Sequence, residues 1–555
     1  MVHRSLGAGF ENNDTLMNTR KILSLSYNDL PYYLKSCLLY FSIFPAGNPI
    51  KRMKLIRLWI AEGFVEGKEG MTLEEVAEDY LNELIKRSLV RVVKAASDGR
   101  VKTCRIHDLL REIMITKAKD QDFVAIAKEE GMVLSEKVRR VSLHKAVPSI
   151  QRRHVASRLR SVLIFWGADS CPDSPAPNLS FGHLRLLNVL DLEGAPLKEF
   201  PSKVSSLFLL KYLSLRNTNV NSIPSSISKL LNLETLDLKH TQISELPVGI
   251  LKLRKLRHLL VYRYEIDCDD RIHIKYGFQP PPQIGSLQSL QKLCFVEANQ
   301  GGDLLLELGR LNQLRRLGIV RFRKEHGKAL CSSVTKLTDL RALSISSITD
   351  SEFIDLEYLS SPPRFLQRVY LTGRLQSLPE WLHYSDSLVK LVLKWSRLSD
   401  DPLLSLQHLP NLVHLKLIQA YNGEMLCFQA KGFQRLRFLS INKLESLRVI
   451  TVQQGAMPCL EKLIVQSCKE LKTVPSGIEH LTTLKVLEFF NMPKELIMTL
   501  QPSEENGDDL KVEHVPDVYS PTGTTVYWIT SLYSPKRMEV LPCLALAVAG
   551  DYIWK

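Results

Sequence analysis

The sequence predicts an α/β solenoid preceded by a mostly helical domain, and three observations predict it. Leu190, Leu213, Leu236 and Leu259 stand 23 residues apart. Each anchors the phrase L-x-x-L-x-L: Leu187-Leu190-Leu192, Leu210-Leu213-Leu215, Leu233-Leu236-Leu238, then Leu256-Leu259 with Val261. Pro201, Pro224 and Pro247 keep the same interval downstream, while the residues ahead of the array show helical spacing and a hairpin. A period in this range, with a short strand and a returning segment in each unit, defines leucine-rich repeats stacked into a horseshoe. One coil cannot bury its own leucines, so neighbours stack into a continuous core and expose a long concave sheet. Such a sheet points to recognition and away from catalysis.

The array continues beyond those four coils. Equivalent centres fall at Val141, Val162, Leu293, Leu317, Leu343, Val369, Leu391, Leu415, Leu439, Leu463 and Leu487, the last five at an even 24-residue step. Between Leu259 and Leu293 lies an insertion with Tyr262-Arg263-Tyr264, Asp267, Asp269-Asp270 and Pro280-Pro281-Pro282, expected as a loop on the solenoid surface. The repeats are placed at 138–492, behind a linker at 126–137 and ahead of an atypical tail at 493–555. Thr218, Thr241 and Cys468 occupy the turn after the strand and are read as structural, bonding neighbouring backbone.

In each L-x-L the leucines point inward and the intervening residue points to the concave face, by the two-residue period of a strand. That face carries Asp191, Ser214, Asp237, Tyr262, Tyr370, Lys394, Lys416, Ile418, Ser440, Gln466 and Phe490, with Trp395 beside it. Aromatic and cationic residues on a solvated surface are the usual anchors of interfaces. The residues expected to touch a partner are Tyr262, Arg263, Tyr370, Lys394, Trp395, Lys416, Ile418 and Phe490.

Composition fits a soluble intracellular chain, 45% hydrophobic and 24% charged over 555 residues. Ten cysteines without a C-x-x-C pair indicate neither a zinc cluster nor a secreted disulfide framework. The start at Met1 lacks the apolar run of a signal peptide, and Val540 to Ala549 is too short to span a bilayer. The formal charge of +14 favours acidic partners or an anionic membrane surface. A cytoplasmic protein is expected, with at most peripheral membrane association.

Ahead of the repeats a polar leader (1–20) precedes a helical segment (21–125). Helical spacing runs from Asn18 to Lys35, broken or restarted at Pro31, and a strongly apolar stretch from Leu34 to Phe44 ends at the turn cluster Pro45-Ala46-Gly47-Asn48-Pro49. Lys51 to Phe64 is helical through Leu55, Ile56, Trp59 and Ile60. Thr72 with Glu75 three residues on gives a capping box for a helix to Arg87. Leu89 to Val93 and Val101 to Ile106 flank Ser97-Asp98-Gly99 as a hairpin, and Asp108 sits where an N-cap would start Leu109 to Lys119. Three helices and a hairpin wing describe a winged-helix domain.

Here the chain resembles a known family. Leu25-Ser26-Tyr27-Asn28-Asp29-Leu30-Pro31, then Leu34-Lys35-Ser36-Cys37 and Phe41-Ser42-Ile43-Phe44-Pro45, are similar to the stretch entering the winged helix of plant NB-ARC proteins. Leu58-Trp59-Ile60-Ala61-Glu62-Gly63-Phe64 and Tyr80-Leu81-Asn82-Glu83-Leu84 continue it, and Ile106-His107-Asp108 matches the Met-His-Asp motif with isoleucine for methionine. Followed by leucine-rich repeats, this resembles the coiled-coil class of plant intracellular immune receptors, truncated at the N-terminus. The resemblance implies that pathogen effectors or modified host proteins are sensed, that ADP is exchanged for ATP, and that oligomerisation triggers defence. It also implies that the repeats restrain an NB-ARC module and that His107 touches the ADP phosphate.

No G-x-x-x-x-G-K-[ST] occurs; Gly327-Lys328-Ala329 lacks both the glycine spacing and the hydroxyl. That loop supplies the amides that cradle phosphate, so no NTPase, no small-molecule substrate and no cofactor is expected in this chain, although full-length relatives use ADP and ATP. In this chain the alternative for His107 is a buried histidine at a helix start. Two other readings stand beside the receptor. One is a general leucine-rich-repeat signalling scaffold without a nucleotide switch. The other is a DNA-binding winged helix using Lys51, Arg52, Lys54 and Arg57, which an ordinary solvated helix face explains as well.

Overall fold

The computed structural model describes residues 14–127, 137–144, 158–166, 184–266, 273–299, 301–500, 510–522 and 525–529. Two compact units divide the chain, the first holding 1–262 with 279–282 and the second 263–278 with 283–555.

The first unit opens with helices α1 (Asp14–Asn28) and α2 (Tyr32–Leu39), the latter started by Pro31 at its N-cap. Proline suits that place because the first helical amides have no partner to lose. Strand β1 (Ile50–Lys51) leads into α3 (Arg52–Glu62). Gly63 ends α3 in the left-handed conformation at φ 79°, with its amide on Ile60 O and that of Phe64 on Trp59 O. The Thr72–Glu75 capping box forms and starts α4 (Leu73–Lys86). Strands β2 (Arg91–Ala95) and β3 (Val101–Arg105) make the wing, and α5 (Asp108–Asp120) follows. The small sheet has the order β1-β3-β2. Its core holds Leu34, Leu38, Tyr40, Phe41, Leu55 and Trp59, all essentially unexposed.

Parallel strands follow in the same unit: β4 (Ala125–Ala127), β5 (Arg140–His144), β6 (Ser161–Phe165), β7 (Val189–Asp191), β8 (Tyr212–Ser214), β9 (Thr235–Asp237) and β10 (His258–Leu260). Leu190, Leu213, Leu236 and Leu259 pair in exact succession and are fully buried. The ladder therefore begins at Ala125, the last residue of the helical segment, and runs into the stretch expected as a linker, because Ala125 to Ala127 pair with Val141 to Leu143. The repeated prolines acquire a role: Pro201, Pro224 and Pro247 are the N-caps of 3-10 turns Ser202–Ser206, Ser225–Lys229 and Val248–Lys252. Thr218 and Thr241 close their own turns, donating 2.7 Å bonds to Leu215 O and Leu238 O.

In the second unit, β11 (Arg263–Ile266) and β12 (His273–Tyr276) pair antiparallel, where a surface loop was expected. The Arg263 guanidinium covers the Tyr276 ring at 4.6 Å, and Tyr264 packs on Phe295 at 6.1 Å, contacts that a bare loop would not hold. Asp267, Asp269 and Asp270 lie outside the described residues.

The main ladder of this unit runs through β13 (Lys292–Glu297), β14 (Arg316–Phe322), β15 (Ala342–Ser347), β16 (Arg368–Thr372), β17 (Lys390–Lys394) and β18 (His414–Ile418). A separate parallel pair, β19 (Met425–Phe428) and β21 (Val449–Val452), brackets β20 (Phe438–Asn442), which continues the main ladder. It proceeds through β22 (Lys462–Gln466), β23 (Val486–Phe490) and β24 (Asp517–Thr522). The repeats thus extend one strand into the tail expected to be atypical from 493. Antiparallel β25 (Thr525–Ile529) then pairs with β24, covering its outer edge with backbone bonds. Residues 530–555, and the leader through residue 13, lie outside the described residues.

Candidate protein-recognition surface

In β17, Leu391 and Leu393 are buried while Lys390, Val392 and Lys394 stand half-buried on the opposite face. Pairing without register shifts from β16 to β23 lines such positions into three files across strands about 4.8 Å apart. The first file reads Arg368, Lys390, His414, Phe438, Lys462 and Val486. The second reads Tyr370, Val392, Lys416, Ser440, Ile464 and Glu488. The third reads Thr372, Lys394, Ile418, Asn442, Gln466 and Phe490.

Cations lie against aromatic faces throughout this patch. Lys390 Nζ is 5.7 Å from the Tyr370 centroid, Lys416 Nζ 5.1 Å from Phe438 and Lys394 Nζ 4.2 Å from Trp395. His414 stacks on Phe438 at 4.2 Å. Each ring's negative face holds a positive charge where water alone would otherwise solvate it.

Of the residues expected to meet a partner, Tyr370, Lys394, Trp395, Lys416, Ile418 and Phe490 share this face. Lys416 and Ile418 form its floor, 4% and 6% exposed. Tyr262 does not reach the surface: it is 3% exposed, with Lys239 Nζ 5.4 Å from its ring and His240 6.0 Å from it. Arg263 is likewise held in the β11–β12 hairpin. Sequence reasoning missed the first file, because it followed the middle of L-x-L and the residue after it but not the one before. The signal was present in the residue just before each first leucine.

The residue after β17, β18, β20, β22 and β23 adopts the left-handed region: φ is 61° at Trp395, 46° at Gln419, 52° at Lys443, 54° at Ser467 and 52° at Asn491. Their amides donate to the next coil, Trp395 N to Ile418 O at 2.8 Å and Gln419 N to Asn442 O at 2.9 Å. The 24-residue step therefore repeats a backbone conformation as well as a leucine. A bulky indole is poorly suited to it.

The corresponding face in the first unit is occupied. Asp191, Ser214 and Asp237, expected on a solvated surface, are 1%, 1% and 4% exposed; α3 packs on β7 and β8, which hold the first two, and its Arg57 acts on Asp237. Lys54 Nζ sits 2.5 Å from Asp191 and 2.7 Å from Glu193. Arg216 bridges Glu193 and Asp237, and Lys239 stands 3.8 Å from Asp237. On the flanks Glu62 takes Arg140 at 2.8 Å and accepts from Ser161, while Glu74 accepts from Arg257. Burial opposes the charge on Lys54, but Asp191 and Glu193 outweigh it and raise its pKa above the usual lysine range. Burial also opposes charge on Asp237, yet Lys239, Arg216 and Arg57 draw its carboxyl down to about 2. Leu163, Val189 and Tyr212 of the repeats join the core that contains Trp59.

This arrangement corrects both sequence accounts of the basic helix. Arg57 is buried, Lys54 is held by Asp191 and Glu193 of the repeats with its side chain 15% exposed, and Arg52 is taken by Glu78, so none of the three stands free for phosphates. The charge partners of α3 were illegible locally, since Lys54 and Glu193 lie 139 residues apart.

His107 is exposed at the start of α5, so the alternative of a buried histidine falls away. It is the N-cap itself: its Nδ1 accepts the Leu109 amide at 3.3 Å, and Asp108 is the first helical residue. In the neutral ring that contact leaves the proton on Nε2, a donor suited to a phosphate oxygen. Among the described residues no cluster of three or more metal-ligating side chains occurs, and no helix is long and apolar enough to cross a membrane.

The leucine-rich repeat region family matches residues 158–500, and the disease resistance protein winged helix domain matches residues 43–114. Disease resistance protein RPM1 of Arabidopsis thaliana is 39% identical over 525 residues, covering 93% of this chain and 55% of that protein. Disease resistance protein RPP8 of the same plant is 28% identical over 547 residues, 92% of this chain and 56% of that one. The chain thus spans about half the length of the curated relatives it matches. A solved leucine-rich-repeat protein of Leptospira interrogans aligns with a TM-score of 0.44 at 17% identity, over 74% of this chain and 98% of that one. The chain belongs to the leucine-rich-repeat proteins, and its disease-resistance winged helix ahead of the repeats places it with the plant disease resistance proteins.

Proposed function

We propose that this chain is the sensing and restraining part of a plant innate immune receptor. Its repeats recognise a pathogen effector or a modified host protein, and its winged helix belongs to an ADP-linked switch. The observation that carries this is the docking of α3 onto the repeats through Lys54, Asp191 and Glu193. A change at the repeats is thereby felt by the domain that would meet the nucleotide. His107 supplies a donor at a helix N-terminus, where phosphate is favoured by the helix dipole. ADP held by the whole receptor provides the switching charge; this chain contributes binding and restraint without catalysis. The partners are then an NB-ARC module and a sensed protein, met in the cytoplasm or at its membrane face.

The test is reconstitution. Supplied beside a separately expressed nucleotide-binding module of a related receptor, the chain should co-purify with it and lower its cell-death output. Absence of association in both the ADP and ATP states would instead favour a general signalling scaffold.

A further inference from the structure

We propose that the cation–aromatic face of β16–β22 is a docking surface for an acidic, partly apolar segment of a partner protein. The inference rests on the sensor reading and assigns the chemistry of what is sensed. Across these strands the three files hold Arg368, Lys390, Lys394, His414, Lys416 and Lys462, and no aspartate or glutamate. The next strand brings the first carboxylate, Glu488, 2.5 Å from Lys462. The first unit supplies a contrast within the same architecture. Its face carries the carboxylates Asp191, Glu193 and Asp237 beside Arg216 and Lys239, and it receives the basic helix α3. The carboxylates that draw in a basic helix there are missing from β16–β22, where the unbalanced cations fit a partner of the opposite charge.

Two further observations point the same way. Arg368 is 7% exposed, and its Nε is buried with no hydrogen-bond partner among the described residues. A buried guanidinium N–H calls for an acceptor, and carboxylates are its best geometric match. Trp395 keeps a bulky ring at φ 61°, where the equivalent coils place Gln419, Lys443, Ser467 and Asn491. Strain retained against easier residues is a mark of function at that side chain. The ring faces also bear on the occupant's class. Lys390 covers Tyr370, while His414 and Lys416 both address Phe438, so these rings are not open platforms for stacking bases. Charge beside apolar surface suits carboxylates interleaved with aliphatic side chains.

The whole chain is titrated with fluorescent probes: a short peptide alternating glutamate and leucine, its glutamine counterpart, a single-stranded oligonucleotide, and phosphatidylserine vesicles. The glutamate peptide should bind roughly tenfold or more tightly than the glutamine one and weaken with added salt. Lys390→Glu with Lys394→Glu should reduce that affinity roughly tenfold, and Trp395→Asn should reduce it while raising the melting temperature. If the reversed pair fails to fold, the milder Lys390→Gln with Lys394→Gln must still lower affinity. Equal binding of the two peptides, unchanged affinity in folded variants, or preference for the oligonucleotide or the vesicles overturns the assignment. Loss of this preference with restraint of the nucleotide-binding module intact removes the acidic partner alone. The converse result removes the receptor reading alone.

Discussion

Asp237 and His240 belong to one charge cluster under α3, and they respond to acid in separate windows. Burial, then Arg216 and Lys239, push His240 down to about 4 from 6.5. The unfolded chain binds the proton first, so stability falls as pH drops from 6.5 towards 4. Asp237, drawn from 3.8 to about 2, contributes stability above pH 3.8 that is lost as pH falls through about 2. Melting curves from pH 7 to 2 should therefore decline in two stages. His240→Asn, tolerated at φ 56°, should flatten only the upper stage, and Asp237→Asn only the lower. A decline unchanged by either variant would place the acid sensitivity elsewhere. Neither role was legible in the sequence, where Asp237 read as a solvated strand residue. The buried leucines on either side were legible because their environment repeats with their spacing. A charge that waits for a helix from another domain leaves no such trace.

At the level of elements, local rules worked where the signal was local. The Thr72–Glu75 box forms as spaced, and the proline step marks the 3-10 starts. At α5 the expectation missed by one residue. Ile106 is buried in the winged-helix core, 5% exposed, which sets the phase of the chain. His107 is then the last extended residue, at φ −65° and ψ 145°, and caps the helix although aspartate ranks higher for that task. Denaturant unfolding can separate these contributions. Thr72→Ala should cost about 1 kcal/mol and His107→Ala about 0.5 kcal/mol, given its longer contact. Asp108→Ala should cost about 0.3–1 kcal/mol through the helix dipole alone. A neutral His107→Ala beside an Asp108→Ala as costly as the Thr72 variant would return the cap to Asp108. The β11–β12 hairpin escaped notice for a different reason: its partners, Tyr276 for Arg263 and Phe295 for Tyr264, lie across an insertion with no alternating pattern.

On the scale of the molecule, winged helix and first repeats are one folding body, because Leu163, Val189 and Tyr212 complete a core built around Trp59. Lys54 is the residue on which that joint turns, 15% exposed beside an Asp191 of 1%. Removing one partner of a buried ion pair leaves the other without compensation, at about 3–5 kcal/mol. Lys54→Glu sets a third carboxylate against Asp191 and Glu193 and should cost at least that range. Hydrogen exchange should then quicken in α3 and in β7 and β8 while the strands of the second unit stay protected. Adding Asp191→Lys to Lys54→Glu restores opposite charges across the joint and should recover part of the protection, which a mere packing defect would not allow. In the receptor reading the same reversal frees the winged helix from the repeats, so the single variant should lose restraint of the nucleotide-binding module and the double variant should regain it. Unchanged exchange in α3 of Lys54→Glu would mean that the shared apolar core, not the charge cluster, holds the two domains together.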